Sequence, residues 1–318
     1  MSPTPDSLHG TAYVLIGPTA VGKTDLAHAL ARANDWDILS ADALMVYAGM
    51  DIGTAKPSPA EREGITYGGM DLATPDQVFS VGAYRTFART YLQDRREQGR
   101  TVLITGGTGL YVKALTHGLD EQPASDSNDR AALEILFQQQ GVEGLQALAR
   151  SEAPDAFAGL RDPANPRRLM RCIEMARQGA KATGESWSHA TPGVMVGVSR
   201  ARENLYERIR ARVERMYREG LLEEARWLET RYGALSSTAR MAIGYREAYA
   251  VLQGHMTEEK AREETAQRTR QYARRQMTWF RNQFLVDWIE LNHDLSLSQQ
   301  AEQVMKLWRK HGPCRLAC

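Results

Sequence analysis

Cysteine is scarce in this chain. Its three cysteines, Cys172, Cys314 and Cys318, have neither a disulfide framework nor a zinc-ligand spacing. Cys314 and Cys318 read as two incidental thiols in a short tail. That usage fits a reduced, cytoplasmic setting. Long apolar runs are missing too. No stretch approaches about 18 consecutive apolar residues, which argues against a membrane span. The start, Met1 to Gly10, is polar and rich in Ser and Pro, with no basic segment leading into an apolar one, so it is not a secretory signal. Repeats and low-complexity tracts are lacking. Net charge is nearly absent, at +1, so bulk charge points to no partner. What is present is an ordinary globular composition, 42% hydrophobic and 25% charged over 318 residues. That length allows one large domain or two modest ones.

The first third alternates strand and helix. Ala12 to Ile16 is a short apolar run bounded by turn residues, as for a buried parallel strand. Gly22 to Ala33 reads as a helix, with Leu26, Leu30 and Ala33 along one side. Trp36 to Ala41 is a second strand, ending at Asp42. Val81 to Arg95 is an amphipathic helix, and Thr101 to Thr105 a third strand running into Gly106-Gly107-Thr108-Gly109. This βαβ rhythm predicts a parallel sheet covered by helices. The character then changes. Asp120 to Asn128 is polar, Asp129 to Gly179 is helical but broken by Pro154, Pro163 and Pro166, and Lys181 to Gly193 is loop-like. Val194 to Val198 returns to a core strand. Helices follow at about 202–220, 221–232 and 257–281, with a last strand at 287–291. The simplest organisation is a discontinuous α/β core, residues 1–118 and 196–318, carrying an all-helical insertion at 119–195.

Gly17-Pro18-Thr19-Ala20-Val21-Gly22-Lys23-Thr24 fits G-x-x-x-x-G-K-[ST], with an apolar strand before it and a helix after. Glycines let the backbone curl so that successive N–H groups face an anion. The helix start adds its positive end. Lys23 brings a full charge, and Thr24 a hydroxyl for Mg²⁺. This is the phosphate-binding loop of a P-loop NTPase-like core. It does not by itself mean nucleotide hydrolysis. Such enzymes also carry an acid at the end of a strand to hold the metal, and Thr101 to Thr105 ends in two glycines. The available acid is Asp42. Strand C-terminal ends gather on the loop's edge of a parallel sheet, which places Asp42 to accept a proton from an attacking nucleophile. The bland alternative is that it only caps the following turn.

Charge is uneven. From Arg200 to Arg281 there are 18 Lys and Arg against 12 Asp and Glu, a surplus of six. From Arg161 to Arg177, five Arg face Asp162 and Glu174. Such patches suit a polyanion, or are solvated helix faces with i,i+4 pairs. Arg208, Arg212 and Arg215 share one helical stripe, opposite Leu205, Ile209, Val213 and Met216. Farther on, Arg268, Tyr272, Arg275 and Trp279 share another. Interleaved Arg and aromatics suit RNA, although Tyr272 and Trp279 read better as core-facing rings.

Six segments in order resemble one known family. They are Gly-Pro-Thr-Ala-x-Gly-Lys-Thr at 17–24, Tyr-x-Gly-Met-Asp-Ile-Gly-Thr-Ala-Lys-Pro at 47–57 and Gly-Gly-Thr-Gly-Leu-Tyr at 106–111. Arg-Ile-x-x-Arg-Val at 208–213, Ile-Gly-Tyr-Arg at 243–246 and Thr-Arg-Gln-Tyr-Ala-x-Arg-Gln-x-Thr-Trp at 269–279 complete the set. Over nearly its whole length the chain resembles the bacterial tRNA dimethylallyltransferases. The resemblance implies transfer of a dimethylallyl group from dimethylallyl diphosphate to the N6 amine of the adenosine 3′-adjacent to the anticodon. It implies catalytic roles for Asp42, Thr19 and Arg212. Diphosphate would bind Gly17, Pro18, Thr19, Ala20, Val21, Gly22, Lys23, Thr24 and Arg212, with Mg²⁺ at Thr24. Contacts to tRNA would come from Asp42, Ala43, Leu44, Met45 and Thr108, and from Arg130, Arg167, Arg168 and Arg171 of an insertion clamping the anticodon stem-loop. Ile243, Gly244, Tyr245 and Arg246 would join them. The expected enzyme is a monomer without a membrane partner. A small-molecule or nucleoside kinase is the alternative that the loop alone allows.

The chain departs from that family in places. The usual Asp-Ser-x-Gln-x-Tyr is here Asp42-Ala43-Leu44-Met45-Val46-Tyr47, so Ala43 and Met45 cannot hydrogen-bond a base through their side chains. Ala48 replaces the usual Arg or Lys before Gly49. Tyr67-Gly68-Gly69 stands where paired His are common.

Overall fold

A computed structural model describes residues 10–118, 126–160, 162–179, 192–292 and 294–317. The polar start, most of the polar stretch at 120–128, nearly all of the loop-like stretch at 181–193, Arg161 and Cys318 lie outside the described residues. The elements run β1 (Thr11–Ile16), α1 (Lys23–Asn34), β2 (Asp37–Ser40), β3 (Tyr67–Gly68), α2 (Val81–Glu97), β4 (Val102–Gly106) and α3 (Gly109–Thr116). Then come α4 (Ser127–Glu152), α5 (Pro154–Ala158) and α6 (Pro166–Arg177). The chain continues through β5 (Met195–Ser199), α7 (Arg202–Arg218), α8 (Leu221–Tyr232), α9 (Ser237–Arg240), α10 (Tyr245–Leu252), α11 (Glu258–Gln283), β6 (Val286–Glu290), α12 (Leu297–His311) and β7 (Cys314–Arg315).

Six strands form a parallel sheet in the order β3-β2-β4-β1-β5-β6. Its central strands are mostly apolar because they are buried on both faces, with Asp37, Ser40 and Thr105 the buried polar exceptions. Val14, Leu15, Ile16, Ile38, Leu39 and Leu103 are completely buried. The chain leaves β1 for β2 on one side and later enters β5 on the other. That reversal opens a crevice at the carboxyl ends of β1, β2 and β4. β7 pairs antiparallel with the first two residues of β1, and Cys314 is buried there. The tail reading of Cys314 is therefore corrected: it belongs to the sheet.

Two compact units emerge, Met1–Gly118 with His189–Cys318, and Leu119–Ser188. The second is helical and has its own core of Leu133, Leu145, Ala149, Leu169, Met170 and Ile173. Its breaks follow from local chemistry. Gly141 takes a non-helical φ of 65° inside α4. Pro154 and Pro166 occupy first turns, where their missing N–H costs nothing. Asn165 caps α6 by accepting from the N–H groups of Arg167 and Arg168. Among the described residues no helix is long and apolar enough to cross a membrane.

Candidate active site

The phosphate loop joins β1 to α1 with backbone demands only small residues meet. A Cβ on Gly17 would lie 2.4 Å from the Val198 carbonyl oxygen. Gly22, at φ 105°, turns the chain into α1. Ala20 sits at φ 62°, a left-handed conformation costing roughly 1 kcal/mol for a residue with a Cβ. Cations fasten the loop's carbonyls. Lys23 Nζ donates to the carbonyls of Gly17 and Pro18, both at 2.7 Å. Arg208 Nε donates to Ala20 at 2.9 Å, and Arg200 Nε to Val21 at 2.8 Å. Arg212 Nη1 donates to the Thr19 hydroxyl at 3.2 Å.

Two of these cations are poorly compensated. Burial, then the neighbouring Arg212, pulls the Lys23 pKa down to about 7, with Asp42 opposing the shift. Burial, then Arg215 and Arg208, lowers that of Arg212 to about 10. Desolvated positive charge of this kind is relieved by an anion arriving between the groups.

One pocket gathers the parts: Thr19, Gly22, Lys23, Thr24, Asp42, Gly106, Gly107, Arg212 and Gln276 all line it. Asp42 follows β2, as the sheet-edge argument expects. Its Oδ1 accepts from the Leu44 N–H at 2.9 Å, so it caps the turn and lines the pocket at once. At the end of β4 a Cβ on Gly106 would come within 2.2 Å of the Ala41 carbonyl oxygen, which leaves no room there for an acid. The remaining wall is less polar, with Met45, Ala55, Pro57 and Tyr67. The Tyr67 hydroxyl is turned away to His28 Nε2 at 2.7 Å. Met45, which cannot read a base, is thus suited to an apolar ligand group.

For a metal, the described residues contain no group of three or more His, Cys, Asp or Glu able to form a closed site. Thr24 offers one hard oxygen beside the phosphate loop. That donor set fits a divalent ion such as Mg²⁺, which takes few protein ligands and completes its shell with phosphate oxygens and water.

Other expected site residues are placed differently. Ala43 and Leu44 are partly buried against the core, and their N–H groups bond Thr108 Oγ1 and Asp42 Oδ1, each at 2.9 Å. Thr108 therefore already uses its hydroxyl within the protein. Tyr245 is completely buried, and its hydroxyl donates to Glu224 at 2.5 Å. Glu224 also receives the N–H groups of Asp51, Ile52 and Gly53. The Tyr245 side chain is thus a brace for the 51–53 loop and has no surface to offer a nucleic acid. Gly244 is buried at φ 96°, Ile243 is half-buried and Arg246 is exposed. In the helical unit, Arg130 and Arg171 both donate to buried Glu174, at 3.2 and 3.4 Å, while Arg167 and Arg168 are exposed.

Two contributors, Gln276 and Arg200, carry no expectation from the sequence, while Arg208 and Tyr272 stand out only as members of basic helical stripes. Gln276 bonds the Thr19 N–H and the Gly107 carbonyl, each at 2.8 Å. Burial and then Asp42 push the Tyr272 phenol up to about 12, with Thr108 and Gln276 drawing it back. For Gln276 the only signal in the sequence is its place in the 269–279 segment.

Fold and site together define a phosphate-loop protein built around a desolvated anion site with a carboxylate beside it. Residues 45–283 match the family described as IPP transferase, and the chain belongs to that family. It is 37% identical over 303 residues to a tRNA dimethylallyltransferase of Geobacillus thermodenitrificans, covering 92% of this chain and 94% of the relative. It is 40% identical over 288 residues to one of Thermobifida fusca, covering 88% and 89%. Among solved structures, the full-length tRNA isopentenylpyrophosphate transferase of Bacillus halodurans superposes with a TM-score of 0.68 at 34% identity, over 94% and 97% of the two chains. A eukaryotic dimethylallyltransferase acting on tRNA shares the fold, with a TM-score of 0.75 at 22% identity over 94% and 79%.

Proposed function

We propose that this protein transfers the dimethylallyl group of dimethylallyl diphosphate to the N6 amine of the adenosine 3′-adjacent to a tRNA anticodon, releasing diphosphate. The observation that carries the reading is one pocket lined by the phosphate-loop residues Thr19, Lys23 and Thr24, by Arg212 bonded to Thr19, and by the carboxylate of Asp42. The donor's diphosphate would lie on the loop, with Lys23, Arg212 and Thr19 around it. Its five-carbon group would rest toward Met45, Ala55, Pro57 and Tyr67. As the allylic C–O bond breaks and the N6–C bond forms, negative charge grows on the leaving oxygen. Fixed donors aimed there favour the transition state over the ground state. Asp42 accepts the proton lost by the amine. A divalent cation held with Thr24, when bound, supplies further neutralisation of the diphosphate.

The acceptor base must leave the loop stack to reach Asp42, at a cost of a few kcal/mol. Arg167, Arg168 and Arg246 are exposed and suited to tRNA phosphates. Arg130 and Arg171 would keep Glu174 neutralised. The enzyme is read as a cytoplasmic monomer. A P-loop kinase would share the loop, the divalent ion and an acid near Asp42, but it would not need the basic helices.

The deciding assay mixes the protein with Mg²⁺, labelled dimethylallyl diphosphate and unmodified tRNA. Label is expected in the tRNA. Asp42→Asn should fold normally and lose roughly 10²- to 10⁴-fold in transfer rate. Near-wild-type turnover in that variant would refute the proton-accepting role. Unlabelled tRNA, together with ATP-dependent phosphorylation of a small molecule, would favour the kinase.

A further inference from the structure

Gln276 occupies an unusual place between the two halves of the pocket. It is almost fully buried on α11 yet lines the pocket beside the phosphate loop. Both ends of its amide are committed. Oε1 accepts from the Thr19 N–H at 2.8 Å, and Nε2 donates to the Gly107 carbonyl at 2.8 Å. A backbone N–H can only donate and a carbonyl only accept, so a single orientation of the amide satisfies both. The helix that carries it is itself fixed there. A Cβ on Gly109 would lie 2.0 Å from the Trp279 ring, so α11 rests directly on the turn after β4.

Thr19 is consequently held from two directions. Its N–H, which in a phosphate loop would be free to face an anion, is spent on Gln276. Its hydroxyl faces Arg212. The other partner of Gln276, Gly107, begins the turn that carries Thr108. Thr108 Oγ1 receives the Ala43 N–H next to Asp42. The chain of contacts runs from the leaving-group side to the acceptor side through one buried amide.

We propose that Gln276 is a positioning residue that sets Thr19, and with it the leaving diphosphate, at a fixed separation from the Asp42 side of the pocket. The inference rests on the transferase reading of the same site. Gln276 contributes no charge to the reaction. It acts on alignment, and misplacement of reacting groups by about 1 Å costs on the order of 10²-fold in rate. Tyr272, one turn earlier on α11 and close to Asp42, supports the same contact from the helix side.

The test uses the full chain with two substitutions, Gln276→Met and Gln276→Glu. The first keeps length and removes both hydrogen bonds. Its single-turnover transfer rate should fall on the order of 10²-fold, while affinity for inorganic diphosphate falls far less. The unpaired Thr19 N–H and Gly107 carbonyl lower the thermal midpoint, but the chain stays folded at the assay temperature. The second has a pH signature. A neutral carboxyl accepts and donates like the amide, whereas a carboxylate only accepts and repels the diphosphate. Its rate relative to wild type should therefore rise as pH falls through the pKa of the introduced carboxyl. A Gln276→Met rate matching wild type would overturn the inference. So would a loss of diphosphate affinity as large as the loss of rate, or a Gln276→Glu profile parallel to wild type. If the wild-type chain itself transfers no label, the transferase reading fails and the inference falls with it.

Discussion

In the sheet-containing unit, half-buried Arg200 and Arg212 and exposed Arg208 donate to Val21, Thr19 and Ala20 of the phosphate loop. In the helical unit, Arg130 and Arg171 converge on buried Glu174, and Arg167 and Arg168 stand in solvent on the first turn of α6. One residue type thus fills three environments. Next to the loop, Arg212 is desolvated beside other cations, and its charge is left for an incoming anion. Around Glu174 it is neutralised by the protein. On α6 it is hydrated and adds to any polyanion only a screened attraction. Burial and local partners, more than the number of arginines, decide what each patch can do.

The widest separation between these environments should appear at Arg212. Arg212→Gln removes a fixed donor beside the leaving group and should slow transfer by roughly 10²- to 10³-fold. A single-turnover assay at saturating donor and tRNA reads this directly. A loss no greater than that from the exposed arginines would erase the distinction between desolvated and hydrated positions.

The next effect concerns stability. Glu174→Gln leaves Arg130 and Arg171 without their shared carboxylate and weakens two charge-assisted hydrogen bonds. Both arginines are partly exposed and regain water, so the expected cost is about 2 kcal/mol. Hydrogen exchange should reveal it as lost protection in α4 and α6, while amides of β1 and β4 keep theirs. Equal loss in the sheet would mean that the two compact units do not open independently.

How much of this could be read beforehand depends on sequence distance. The phosphate loop is local: eight consecutive residues, a strand before and a helix after. Asp42 needed one further rule, that parallel strands end on a common edge. Gln276 had no comparable signal, because its partner Thr19 lies 257 positions away and only the return of α11 brings the two together. The expectation of Tyr245 at the tRNA surface rests only on the Ile-Gly-Tyr-Arg resemblance at 243–246, yet Glu224 draws it inward as a brace. Cys314 looked like part of a tail until its pairing with Ala12 in β1 made it a strand residue. Two-residue β3 was illegible because it exists only through its pairing with β2.

The smallest expected effect belongs to Arg167 and Arg168. Replacing both with Ala removes two exposed charges and no packing, so the thermal midpoint should not move. If they meet tRNA phosphates, binding weakens about equally for every tRNA sequence. The slope of log affinity against log salt then falls by about two, one for each lost contact. Titrating unmodified tRNA over a salt series measures that slope directly. An unchanged slope would assign these arginines to plain solvation and leave Arg246 as the exposed candidate for phosphate contact. A loss confined to particular tRNAs would instead mean that they read bases. That outcome would reverse the comparison, making the hydrated arginines the selective ones and the desolvated arginines indifferent to sequence.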